Sequence, residues 1–338
     1  MALPRALLDA SGLVEQGLRS SLEGRDGLLY RMVRYSLGWC TPQGDPLPGP
    51  PPLHPYGALG VLGGQAIGLP SSLLAPVGAA VELLALFHQV HRQVQEGIPG
   101  PQERPSLWWV WGPAQAINAG DGLHALARLV LLGLRTQGVD PLRVIEALQA
   151  LDATALELCE GRFQDLLLQE RLDVTVGQCQ RIARSQTGAL MACALRLPAL
   201  LGGMPPGRPD LWEEAGRRLG MAIHYWHDLR RWRSPAPEGA SGPLLNKGKT
   251  LPLALALQGA GPAQKREIGA LYAKRVLEPA DLQTLLSLLE QVGALREAEA
   301  MAQQALEEGL ALWGEASGAS VDPAVRQAVS YLATAGPL

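Results

Sequence analysis

ELLALFHQVHRQVQE, residues Glu82–Glu96, and LGMAIHYWHDLRR, residues Leu219–Arg231, are the two stretches from which the fold is read. Each carries a His-x-x-His pair, His88/His91 and His224/His227. On a helix this i, i+3 spacing sets both side chains on one face. Carboxylates stand beside the pairs, Glu96 after the first and Asp228 after the second. Working outward, Pro141–Glu170, Thr175–Leu201, Pro209–Trp232 and Ala294–Trp313 all return apolar residues every three or four positions. Pro or Thr opens the first three of them, as helix starts favour. No sustained alternation of β-branched and aromatic residues marks a strand. The expected fold class is all-α, one domain over residues 1–338 with about ten helices.

Three Pro- and Gly-rich segments, Thr41–Gly57, Gly97–Pro105 and Ser234–Pro243, read as surface loops between helices. With only two Phe among 338 residues, the core must rest on Leu, Ala and Val. A net charge of −3 gives no electrostatic footprint for nucleic acid. The N-terminus lacks the apolar core of a secretory signal, and the longest apolar runs are broken by Pro, Gly, Glu or Arg, so no membrane span is expected. Cys40, Cys159, Cys179 and Cys193 show no CxxC spacing, which fits reduced thiols and a cytoplasmic setting.

Several motifs, in order, resemble those of the trans-polyprenyl diphosphate synthases. Glu82–Glu96 falls on that family's E-L-L-H-x-x-x-L-x-H-D-D-x-x-D. Arg104-Pro105-Ser106-Leu107 and Ala116-Ile117-Asn118-Ala119-Gly120-Asp121 fall on R-P-T-V and A-I-L-A-G-D. Glu160-Gly161-Arg162-Phe163-Gln164-Asp165-Leu166 is similar to E-G-Q-x-x-D-L, and Gln186-Thr187 sits at K-T. Leu219–Arg231 falls on L-G-x-A-F-Q-x-x-D-D-x-x-D, followed by Lys249-Thr250-Leu251-Pro252-Leu253 on K-T-L-P-L. The resemblance implies an isoprenoid-synthase helical bundle around a central cavity. It also implies pairing through mid-chain helices, for which Asn118–Leu134 has the composition.

In that family two aspartate-rich motifs face each other across the cavity and hold magnesium ions on an allylic diphosphate, because hard cations need oxygen ligands. Here the motifs read Arg92-Gln93-Val94-Gln95-Glu96 and His227-Asp228-Leu229-Arg230-Arg231, with one carboxylate apiece. The family's paired arginines fall on Pro101 and Gln102, and its K-T lysine on Gln186. Its N-terminal G-K-R falls near Leu22–Asp26, where Arg25 is the only base. The usual three-ion magnesium arrangement is therefore not expected. The main expectation is a non-catalytic protein of isoprenoid metabolism, either an accessory subunit or an isoprenoid binder.

The alternative is an active prenyltransferase or terpene-synthase-like enzyme of atypical chemistry. Its catalytic residues would be His91, Glu96, His227 and Asp228. Arg92, Arg230 and Arg231 would clamp an anion by bidentate hydrogen bonds, with Gln164, Asp165, Gln186, Lys247 and Lys249 as further ligand-binding residues. Tyr225, Trp226 and Trp232 offer faces to a carbocation. A third reading makes His88, His91, His224 and His227 a transition-metal site. The expected partners are an isoprenoid or isoprenoid diphosphate-like ligand and a second chain, in a homodimer or in a heterodimer with a related prenyltransferase.

Overall fold

The computed structural model describes residues 2–169, 171, 173–233, 244 and 247–336. It contains helices α1 (Arg5–Ser21), α2 (Leu28–Ser36), α3 (Pro55–Ala66), α4 (Ser71–Glu96), α5 (Leu107–Trp111), α6 (Pro113–Gly133), α7 (Pro141–Gln169) and α8 (Val176–Ala183). These are followed by α9 (Ala189–Leu201), α10 (Arg208–Arg233), α11 (Leu251–Gly259), α12 (Pro262–Ala273), α13 (Pro279–Gln291), α14 (Ala294–Ser317) and α15 (Pro323–Thr334). Among the described residues there is no strand, only an isolated bridge between Cys40 and Pro46. The segment expected as a loop at Ser234–Pro243 lies outside the described residues.

Residue chemistry sets the helix ends. Pro occupies the first turn of α3, α6, α11, α12, α13 and α15, where its missing N–H loses no helical bond. Thr175 and Gln178 form a capping box on α8, and Thr250 caps α11 by accepting from the Leu253 N–H. Gly97, at φ 63°, closes α4 in the left-handed region that glycine enters without penalty. The stretch read as one helix from Thr175 is interrupted by a π-helical turn at Arg184–Gly188, which joins α8 to α9.

The bundle is built by α10 packing on α14 and α9, α4 on α6, and α3 on α1 and α4. Its core is mainly Leu, Ala and Val, with Trp212 edge-on to Trp313 at 5.1 Å. Two glycines bring α10 against its neighbour: a Cβ at Gly216 would lie 2.2 Å from the Met191 carbonyl oxygen, and one at Gly220 2.3 Å from that of Thr187. Helix α4 is long and apolar enough to cross a membrane by length and composition, but most of its apolar window is buried inside the protein.

Candidate functional site

A cavity of about 630 Å³ opens between α4 and α10. Its α4 wall includes the stripe Glu82, Ala85, His88, Gln89, Arg92 and Glu96, with Leu86, Val90, Gln93 and Gln95 beside it, and its α10 wall includes the stripe His224, His227, Asp228 and Arg231, with Ile223 beside it. Both follow the three-to-four spacing of one helical face. The π-turn adds Gln186 and Thr187, α7 adds Asp165, and the approach to α11 adds Lys249 and Thr250. Tyr35–Leu37, Pro52–Tyr56 and Arg104–Leu107 complete the lining.

Of the residues expected at the site, Arg92, Glu96, Asp165, Gln186, His227, Asp228, Arg231 and Lys249 line this cavity, as do His88 and His224. His91 does not: its Nε2 lies 3.2 Å from the Ile117 carbonyl and 3.6 Å from Asp121, and its ring rests on Gly120. Three residues turn a helix face by about 60°, and the cavity stripe runs on the other side of His88, through Arg92. Gln164 is exposed, one position round α7 from Asp165. Arg230 lies off the cavity stripe, one position before Arg231. Lys247 turns outward and donates to the Lys274 carbonyl. Tyr225 and Trp232 are core residues, and Trp226 packs against the core; none of the three lines the cavity. Leu22–Asp26 forms the turn after α1, where Arg25 bonds to the Ser21 carbonyl. The N-terminal part of the cavity comes instead from Tyr35–Leu37 and Pro52–Tyr56.

Burial and positive neighbours govern the electrostatics. Burial, reinforced by Arg92, lowers His88 to about 3, and burial with Arg231 lowers His224 to about 4. His227 is pushed well down by burial and by Arg231 and Arg92. All three imidazoles are neutral at pH 7, and the Nδ1 of His224 is paired with the Thr187 hydroxyl at 3.1 Å. Burial raises Asp228 to about 6, against the pull of Arg231 at 3.6 Å and the Leu251 N–H, which donates to it at 3.0 Å. Burial lowers Lys249 to about 8. Among the described residues its Nζ is buried without a hydrogen-bond partner, 4.4 Å from the centre of the Tyr272 ring.

Magnesium is the group this fold implies, and the residues present do not fit it. Glu96 is paired with Arg162 at 2.8 Å, Asp228 is held by a backbone N–H and Arg231, and Arg92, Gln93, His227 and Arg231 occupy the other motif positions. Among the described residues, no three His, Cys, Asp or Glu side chains converge as a metal requires. The four-histidine site is likewise not assembled, because His91 faces α6.

Two features escaped the sequence reading. Arg162, 3% exposed, donates Nε to Gln95 at 2.9 Å and Nη1 to Glu96 and Asp165. Its signal was present: a basic residue stands at the Gln of E-G-Q-x-x-D, three positions before a carboxylate. The second is a buried triad at the cavity margin. His54 Nε2 bonds Glu15 at 2.8 Å, its Nδ1 faces Glu82 at 3.9 Å, and Glu15 also accepts from Trp39. Burial would lower His54, but the two carboxylates outweigh it and raise it to about 9. No local pattern marks this triad, because its members come from three separate segments.

The sequence model described as Polyprenyl synthetase matches residues 74–289. The chain is 31% identical over 313 residues to a geranylgeranyl diphosphate synthase of Mycobacterium tuberculosis, covering 91% of this chain and 87% of that one. It is 29% identical over 307 residues to a (2E,6E)-farnesyl diphosphate synthase of Mycobacterium bovis, covering 89% and 84%. The crystal structure of a polyprenyl synthetase from Streptomyces coelicolor A3(2) superposes with a TM-score of 0.83 at 28% identity, over 97% of each chain. The all-helical architecture, the facing α4 and α10 stripes and these likenesses lead to one conclusion: the chain belongs to the polyprenyl synthetase family.

Proposed function

We propose that this protein is an active enzyme of isoprenoid metabolism that takes an allylic isoprenoid diphosphate into the central cavity and ionises it without the usual magnesium cluster. The observation that carries the reading is the set of cations on the cavity wall. Arg92, Arg231 and Lys249 all line the cavity, and among the described residues no carboxylate pairs with Arg92. Guanidinium groups bind phosphate oxygens bidentately, and in a water-poor site they stabilise the charge that develops on a departing diphosphate. The neutral imidazoles of His224 and His227 line the same cavity, and in this reading one of them takes the proton that the allylic cation loses, to leave a neutral diene, once the C–O bond has broken and the diphosphate has departed. The apolar stretch of the cavity, with Ala85, Leu86 and Leu190, suits a hydrocarbon tail. The relatives named for making geranylgeranyl and farnesyl diphosphate support an active reading over the accessory one expected at first. The reading places the protein in the cytoplasm.

Calorimetry with a non-ionisable farnesyl thiodiphosphate tests the reading. Arg92→Gln and Arg231→Gln are each expected to weaken binding about tenfold or more, since a hydrogen bond to a charged group is worth about 1.5–3 kcal/mol. Unchanged affinity in both variants would remove the arginines from the head-group site.

A second reading has an observation of its own. Both remaining motif carboxylates already have partners within the chain, as in a subunit that keeps the fold for the sake of pairing. An exposed apolar face supports pairing in either case. It runs along α6 through Ile117, Leu129 and Leu132, and along α7 through Leu142, Ile145, Leu156, Phe163 and Leu167. Co-purification with a motif-bearing prenyltransferase, and turnover only in its presence, would favour the accessory subunit.

A further inference from the structure

We infer that Arg162 is a built-in cation, occupying the place where the cavity carboxylates of α4 and α7 would otherwise gather a divalent metal. The inference deepens the proposed function, and it rests on that reading only for the identity of the anion bound nearby.

Glu96 ends α4 and Asp165 lies on α7, yet both line one cavity wall. Carboxylates brought together from two helices repel each other unless a cation stands between them. Here the cation is the Arg162 guanidinium, buried to 3% exposure. It donates Nε to Gln95 Oε1 at 2.9 Å and Nη1 to Glu96 Oε1 at 2.8 Å and to Asp165 Oδ2. Three side chains thus converge on it through oxygen, as they would on a metal ion. Among the described residues, Glu96 Oε2 and Arg162 Nη2 are both buried without a partner. A carboxylate oxygen of this kind is a ready ligand once the guanidinium is gone. Across the cavity, Asp228 has its own guanidinium in Arg231 at 3.6 Å. Each remaining motif carboxylate is therefore neutralised by a covalently attached cation. The consequence is a site whose organisation does not depend on metal supply.

Glutamine is both the family residue at this position and a neutral oxygen donor, which makes Arg162→Gln the informative change. The experiment titrates the full chain with Mn²⁺ alone, following free Mn²⁺ by electron paramagnetic resonance. The wild type is expected to show no saturable Mn²⁺ site in the micromolar range. R162Q is expected to gain one saturable site in the micromolar range, and Glu96→Gln added to R162Q is expected to abolish it. A wild-type Mn²⁺ site that E96Q removes would overturn the inference. So would an R162Q protein, folded by circular dichroism, that binds Mn²⁺ no better than wild type. Should R162Q fail to fold, the wild-type and E96Q titrations decide alone, absence of an E96Q-sensitive site supporting the built-in cation. No isoprenoid enters the measurement, so its outcome is separate from that of the proposed reaction.

Discussion

His88 and His91 stand three residues apart on one helix, yet only His88 meets the cavity. The repeat His-x-x-His promised a shared face, and a rotation of about 60° was enough to send one imidazole to α6 instead. Spacing gives a relative angle; where the stripe is centred depends on which neighbour packs against the helix. His54 shows the opposite case, a decisive residue with no sequence signal. It joins Glu15 of α1 to Glu82 of α4 and carries its proton up to a pKa of about 9. The folded value lies above the ordinary 6.5, so the stabilisation is fully present below pH 6.5 and is lost as pH rises through about 9. The shift corresponds to a contribution on the order of 3 kcal/mol at low pH. Urea unfolding of the wild type should therefore show stability falling between pH 6.5 and 9.5, and His54→Gln should flatten that slope. An unchanged slope in the variant would assign the effect to other groups.

At the scale of elements, the helices themselves were legible. The helices expected from Pro141 onward and over Ala294–Trp313 are α7, described as far as Gln169, and α14, because a buried face repeating every 3.6 residues leaves its mark in sequence. The π-turn at Arg184–Gly188 was not, since the phase slip of an added residue is hidden where the next residues, Ala189–Leu195, are apolar and buried on every side. Nor was the contribution of Pro52–Tyr56 to the cavity, which depends on how a Pro-rich loop returns across the bundle. The departed motif aspartates were read directly, whereas the Arg162 cluster needed the juxtaposition of α4 and α7. Gly220 offers an element-scale test, because it seats α10 on the π-turn one helical turn before His224. Gly220→Ala would push a methyl group to 2.3 Å from a backbone oxygen that cannot yield cheaply. The expected loss is about 1–3 kcal/mol in thermal or urea unfolding. Gly133→Ala, with open space around the new Cβ and an ordinary helical φ of −59°, should instead gain about 0.5–1 kcal/mol. Equal effects at the two positions would contradict the packing of α10 described here.

For the whole molecule, the polyprenyl synthetase fold is retained, while its central cavity is lined by both signs of charge, Arg92, Arg104, Arg231 and Lys249 with Glu82, Glu96, Asp165 and Asp228. Arginines and neutral histidines stand where the family resemblance implies aspartates and metal. The exposed apolar stripe on α6 and α7 is the other whole-molecule feature, and it makes self-association the expected state. Leu129→Glu together with Leu132→Glu should convert a dimer to a monomer by light scattering after gel filtration, with the helical signal unchanged. A wild-type monomer at micromolar concentration would remove that expectation. The proposed chemistry makes a sharper demand. Purified protein would be incubated with labelled C10 to C20 allylic diphosphates, with and without isopentenyl diphosphate, in excess EDTA and again in magnesium or manganese. The account predicts release of diphosphate that persists in EDTA and is lost in the Arg92→Gln and Arg231→Gln variants. Release that depends strictly on added metal, or no release at all from folded protein, would contradict it.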